Sequence, residues 1–238
     1  MRENAPHAST GTASLPMSKR PQRPAPQASR PVAGHVRVIG GRWRGTRLPV
    51  AAVDGLRPTP DRVRETLFNW LAPVLPGARV LDLFAGSGAL GLESVSRGAA
   101  AAVLVERDPV LVASLREIAG RLEGGEVVEV VQADALRWLS TRRGPFDVAF
   151  LDPPFASDAW QAALAGVLPA MAPGGWIYLE GPPQLDLVLP APWQLHRDGR
   201  TRDTHHALFR HAGNAKGGPP VDTLGSGPDT PPAVQADT

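Results

Sequence analysis

From about residue 79 onward the chain alternates between short apolar runs and stretches whose apolar residues recur every three or four positions. The runs, at about 79–84, 102–106, 127–131, 146–151 and 174–180, read as buried strands. The stretches between them, at about 88–97, 109–122, 134–142 and 157–171, read as helices. Strand and helix in alternation predict an α/β fold, a doubly wound and mainly parallel sheet covered on both faces. Trp193–Arg197 and Ala207–Arg210 follow with only a polar turn between them, too short for a crossover helix, so they predict an antiparallel edge hairpin. Upstream, Val36–Ile39 and Arg42–Leu48 are joined through Gly40-Gly41, the pattern of a small β-hairpin extension. A helix is expected next, capped by Thr59, with Pro60 at its first position and Val63, Leu67, Trp70 and Leu71 on one face.

The flanks carry no such periodicity. Residues 1–34 are rich in Pro, Ala, Ser, Gln and Arg, and residues 212–238 in Gly, Pro, Asp and Thr, so both read as disordered tails that cannot bury enough surface to offset their ordering entropy. The expected organisation is a basic tail over 1–34, a hairpin extension over 35–55, one folded domain over 56–211 and a second tail over 212–238.

Composition narrows the chemistry. The 238 residues contain no cysteine, which excludes disulfides, thiolate metal sites and a cysteine nucleophile. His7, His35, His196, His205, His206 and His211 form no spaced ligand set, so no metal is expected, and His205-His206 are expected to be solvent-exposed on opposite faces of a strand. No apolar run is long enough to span a bilayer and none follows the N-terminal charges, so a cytoplasmic protein is expected, with monomer as the default state. Charge is segregated. Residues 1–64 hold twelve Lys and Arg against Glu3, Asp54 and Asp61, a net of +9 in a chain whose total is +2, leaving −7 for the remainder. A concentrated basic segment suits a polyanion such as nucleic acid, although arginines at solvated positions would give the same count.

Val80-Leu81-Asp82-Leu83-Phe84-Ala85-Gly86-Ser87-Gly88-Ala89-Leu90-Gly91 places G-x-G-x-x-G between a strand and a helix, where glycines allow a tight turn and close approach to a nucleotide-like ligand. Glu106 ends the next strand 20 residues after Gly86, the spacing of a ribose-binding carboxylate. Asp82 stands just before the loop. There it would repel a pyrophosphate but attract an ammonium or sulfonium group, which favours S-adenosylmethionine over a dinucleotide; a plain loop-capping acid is the alternative. Asp134 ends a further strand, suited to an adenine amino group, to capping the following helix, or to both. Phe84, Arg107 and Ala135 adjoin these positions and complete the cofactor-binding set.

Phe150-Leu151-Asp152-Pro153-Pro154-Phe155 ends a fourth strand in an acid, two prolines and a ring. Ligands of open α/β sheets bind beyond such carboxyl ends, so Asp152 belongs beside the same crevice. An amine conjugated to an aromatic ring is a poor nucleophile until its hydrogens are held. Asp152 and the Pro153 carbonyl would hold them, with Pro154 stiffening the turn and Phe155 stacking on the base. The alternative is a stiff turn with no chemistry.

These residues resemble the S-adenosylmethionine-dependent methyltransferases that modify exocyclic or amide nitrogens, whose signature is Asp, Asn or Ser, then Pro-Pro, then an aromatic. "RVIGGRWRGTR" over 37–47, "LRPTPDRVRETLFNWL" over 56–71 and "LDLFAGSGALGLE" over 81–93 resemble, more narrowly, the RsmD family of ribosomal RNA guanine-N2 methyltransferases, over about residues 36–210. The resemblance implies a Rossmann-like methyltransferase domain with S-adenosylmethionine as cofactor. It implies the N2 of a guanine in 16S ribosomal RNA as acceptor, the assembled or assembling small subunit as partner, and Asp152, Pro153, Pro154 and Phe155 at the catalytic position. Neither tail belongs to the family pattern. Arg42, Trp43, Arg44, Arg57 and Arg64 are the candidate RNA-binding residues. For Arg57 and Arg64 helix-end charge is the alternative, and for Trp43 packing against the sheet. A catalytically silent RNA-binding assembly factor on the same fold would share the basic segment but would not need an intact Asp-Pro-Pro-Phe. DNA adenine and protein glutamine methylation share that motif, so the substrate rests on the upstream blocks.

Overall fold

Parallel strands require crossovers, and in the computed structural model four helices supply them along one seven-stranded sheet. The structure describes residues 1, 32–51, 60–141, 144–153, 159–186 and 188–213. In chain order the elements are β1 (Val32–Arg37), β2 (Arg47–Ala51), α1 (Asp61–Leu71), β3 (Arg79–Asp82), α2 (Ala89–Ser96), β4 (Ala101–Glu106), α3 (Pro109–Arg121), β5 (Val128–Gln132), α4 (Ala135–Leu139), β6 (Phe146–Leu151), α5 (Ala159–Val167), β7 (Met171–Gly181), β8 (Trp193–Arg200) and β9 (His205–His211). The large sheet runs β5-β4-β3-β6-β7-β9-β8, with β9 and β8 as the antiparallel edge pair beside β7. From β3 the chain winds out to β5 and then returns to β6 on β3's other side, so the switch point lies between β3 and β6. This is a doubly wound, Rossmann-like architecture with a small hairpin extension.

Alternation along each strand divides the core. Val80, Leu104, Val148, Phe150, Tyr178 and Leu208 face α1, α2 and α3, where Phe68, Leu92 and Leu115 meet them. Leu81, Val103, Ala149, Leu151, Ile177 and Leu179 face α4 and α5, against Trp138, Leu139, Ala163 and Val167. Buried on both faces, these strands are apolar nearly throughout, which is why continuous runs rather than alternation marked them.

Four expectations need correction. β1 and β2 lie further apart than a Gly40-Gly41 turn allows: Arg37 pairs with Arg47, and residues 38–46 form the link. The backbone there is turned toward α2, where the Arg42 N–H donates to the Ser96 carbonyl (2.8 Å) and the Trp43 N–H to Ser96 Oγ (2.9 Å), so those donors are unavailable to a partner strand. Gly41 has φ +74°, and a Cβ there would lie 1.9 Å from the Ser96 oxygen. β1 also takes in Val32 to Gly34, which the expected tail included. The buried face of α1 is Arg64, Leu67, Phe68 and Leu71, with Pro60 before the helix rather than at its first turn; Thr59 lies outside the described residues. Finally, His205 and His206 are buried, at 5% and 6% exposure, because β9 is an interior strand flanked by β7 and β8.

Candidate active site at the carboxyl rim of the sheet

Register puts four carboxylates on one face. Asp82 pairs with Leu104 on β4 and Phe150 on β6, and Phe150 pairs with Tyr178 on β7. Glu106, Asp152 and Glu180 each stand two residues beyond those partners, so with a period of two they share the face of Asp82 at the carboxyl end. The row crosses the switch point, where open α/β sheets bind ligands.

The loop between β3 and α2 is held by these same acids. Asp82 Oδ2 accepts the Gly91 N–H (2.9 Å), and Glu106 accepts the N–H groups of Gly86 (3.0 Å) and Asp108 (2.8 Å). The three glycines have different jobs. A Cβ on Gly86 (φ +52°) would meet nothing closer than 3.9 Å, leaving that turn open to a ligand. On Gly88 it would lie 2.5 Å from Leu115 Cδ2, and on Gly91 2.6 Å from Leu104 Cδ1. Gly88 and Gly91 therefore serve the packing of α2 on the sheet, and only Gly86 the close approach expected of the whole loop.

Electrostatically the rim is short of positive charge. Asp82, 4% exposed, has its pKa pushed up to about 7, chiefly by burial and further by the charge of Glu106, with the Gly91 N–H pulling the other way. The half-buried Asp152 is raised well above the usual carboxylate range by burial, then by Glu180 and by Asp82. A phosphate would worsen this repulsion, whereas an ammonium or sulfonium group would relieve it. The donor set thus fits a cationic nucleotide-like ligand.

Of the other expected cofactor residues, Phe84 is half-buried, Arg107 is exposed, and Ala135 is buried in the first turn of α4. Asp134 caps α4 through the Arg137 N–H (3.0 Å) and is otherwise exposed, so capping leaves its second oxygen facing solvent. Pro153 is buried next to Asp152; Pro154 and Phe155 lie outside the described residues, as does Arg57.

Two expected RNA contacts are corrected. Trp43 is 5% exposed, its ring in the core and its indole N–H donating to the Glu123 carbonyl (2.9 Å), so it offers no stacking face. Arg64 is 1% exposed and donates to Asp61 (2.7 Å) and to the Arg37 carbonyl (3.1 Å), tying α1 to β1. Arg42 and Arg44 remain exposed, the former with its guanidinium 4.7 Å from the Trp43 ring centroid. Sequence reasoning missed Glu180, although its signal was the one used elsewhere: an acid ending an apolar run, Trp176-Ile177-Tyr178-Leu179-Glu180.

Residues 36–210 match the family model described as "Conserved hypothetical protein 95". Over 185 residues, 75% of this chain and 91% of the relative, the sequence is 44% identical to ribosomal RNA small subunit methyltransferase D of Escherichia coli K12. The chain belongs to the RsmD family. The Haemophilus influenzae protein of the same name is 38% identical over 183 residues, covering 75% of this chain and 95% of that one. The solved structure of Escherichia coli yhhF superposes with a TM-score of 0.69 at 41% identity, over 76% of this chain and all of that one. The family-model match, from residue 36 to residue 210, takes in β2, the rim and β8 whole, with most of β9 and the last two residues of β1.

Proposed function

We propose that this protein transfers a methyl group from S-adenosylmethionine to the exocyclic N2 of a guanine in 16S ribosomal RNA, acting in the cytoplasm as a monomer on the assembled or assembling small subunit. The observation that carries the reading is the position of Asp152 beside the switch point, in line with Asp82 and Glu106 on one face of the sheet. Bound there, S-adenosylmethionine supplies an electrophilic methyl on a sulfonium. Asp82 would meet its cationic amino-acid end, Glu106 its ribose hydroxyls and Asp134 its adenine amino group, with Gly86 leaving room for the close approach. Asp152 and the Pro153 carbonyl would hold the hydrogens of the target amine, localising the nitrogen lone pair for in-line attack. Its proton leaves to a carboxylate while the electron pair stays on nitrogen. Exposed Arg42 and Arg44 would meet RNA phosphates.

The relatives named small-subunit methyltransferases support ribosomal RNA as the substrate. The test is to incubate the protein with methyl-labelled cofactor and small subunits from a strain lacking this activity, then locate the labelled nucleoside by mass spectrometry. Label in N2-methylguanosine is the expected result; label in another nucleoside, or none, overturns the reading.

A further inference from the structure

Tyr178 and Glu180 are buried polar residues two apart on β7, at 0% and 3% exposure, interleaved with the buried apolar residues Trp176, Ile177 and Leu179. The Tyr178 hydroxyl donates to Glu180 Oε2 at 2.9 Å, fixing a carboxyl group at the rim position beside Asp152. Phe150 packs edge-on to Tyr178 beneath them, at 6.2 Å between ring centroids. An apolar pair would pack this position at lower desolvation cost, so the acid calls for a function.

We propose, resting on the functional reading above, that Glu180 is a positioning residue acting through Asp152: held by Tyr178, it governs when the Asp152 carboxyl is free to accept the hydrogen of the target amine. A buried carboxyl and its half-buried neighbour do not readily both ionise, so the pair keeps a proton when no cation is bound beside them. A cation held by Asp82 would favour loss of that proton, so that Asp152 would be an acceptor only with the methyl donor in place. At methyl transfer the N–H bond of the acceptor breaks toward Asp152, the nitrogen keeping the electron pair, and the proton passes to solvent through the Asp152 and Glu180 carboxyls.

The charge of Glu180 adds to burial in raising Asp152. Asp82 on β3 and Tyr178 on β7 itself also act on the pair, and His206 is opposite Glu180 on β9. On the covering helix α1 the buried cation is Arg64, engaged by Asp61 and the Arg37 carbonyl. The His206 ring lies between Trp70 and Tyr178, at 6.2 and 6.3 Å, and burial lowers its pKa, which favours the neutral ring.

The test is carbon-13 titration of the aspartate side-chain carboxyls in the full chain without cofactor, with Asp152→Asn assigning the resonance. The Asp152 resonance should titrate above the ordinary carboxylate range, fall by about one pH unit in Glu180→Gln, and stay as in wild type in Glu180→Asp, which keeps the charge. The acid limb of the kcat/KM profile, which reports the free enzyme, should move by the same amount and direction in Glu180→Gln. An unmoved resonance in Glu180→Gln overturns the proposal. Should that variant not fold, the wild-type resonance decides alone, since titration in the ordinary range also overturns it and titration above that range supports it. Failure of the functional reading looks different: Asp152→Asn would then methylate small subunits at the wild-type rate, whatever the titration shows.

Discussion

Two buried acids on the same side of the sheet, Glu93 in α2 and Asp82 at the end of β3, have opposite surroundings. Glu93 is wholly buried and fully engaged: its carboxylate accepts the N–H groups of Ile39 (2.6 Å) and Gly40 (2.8 Å) and pairs with Arg97 Nε (2.6 Å). Asp82 is nearly as buried but accepts one backbone N–H, and its pKa rises to about 7. Desolvation of Glu93 is offset by partners within the chain, and the result is a clasp that docks the extension onto the domain. Desolvation of Asp82 is left largely uncompensated, a state that costs stability and that a bound cation would relieve. An acid that looks the same in sequence is structural or functional according to how many donors the fold aims at it.

The contrast can be broken at its functional end first. Asp152→Ala should lower kcat by about a thousand-fold, or about 4 kcal/mol of transition-state stabilisation. Cofactor affinity measured by calorimetry should stay within a few-fold. Full activity in that variant would remove Asp152 from the mechanism. At the structural end, Glu93→Ala leaves two backbone donors and Arg97 without their acceptor and should cost about 3 kcal/mol in urea unfolding. A cost near zero would show that the extension is held by apolar contacts alone.

Asp82 sharpens the comparison through pH. Its folded pKa lies above the ordinary carboxylate value, so between pH 4 and about 7 the folded protein holds a proton that the unfolded chain has released. This contribution is therefore most favourable at acid pH, declines as pH rises through that window and levels off above it. Asp82→Asn should flatten the decline by about 4 kcal/mol in unfolding measured from pH 4 to 8, while weakening cofactor binding. An unchanged slope would mean that Asp82 is solvated in solution. The smallest expected effect is on the surface. Charge reversal at Arg42 and Arg44 should weaken substrate engagement by about tenfold at low salt and much less at high salt, and a salt-insensitive loss would count against phosphate contact.

Much of this was legible along the chain because short-range physics wrote it. Unbroken apolar runs mark strands buried on both faces, and acids at their ends mark the rim, so Asp82, Glu106 and Asp152 were identifiable without coordinates. Glu180 carried the same mark and was passed over, although Gly181, Pro182 and Pro183 follow it directly. The hairpin boundaries, the exposure of His205 and His206, and the roles of Trp43 and Arg64 were not legible. Each depends on a partner far away in sequence: Ser96 for Trp43, Arg37 for Arg64, and β7 and β8 for the two histidines.

By itself, then, the sequence determined the alternation of strand and helix, the glycine turn at Gly86, the rim acids and the family, since each rests on neighbours within one element or one loop. Only the tertiary structure decided which acids have partners and which do not. Burial and hydrogen bonding belong to pairs of elements, and strand order alone brought Glu180 beside Asp152 and α2 beneath the extension.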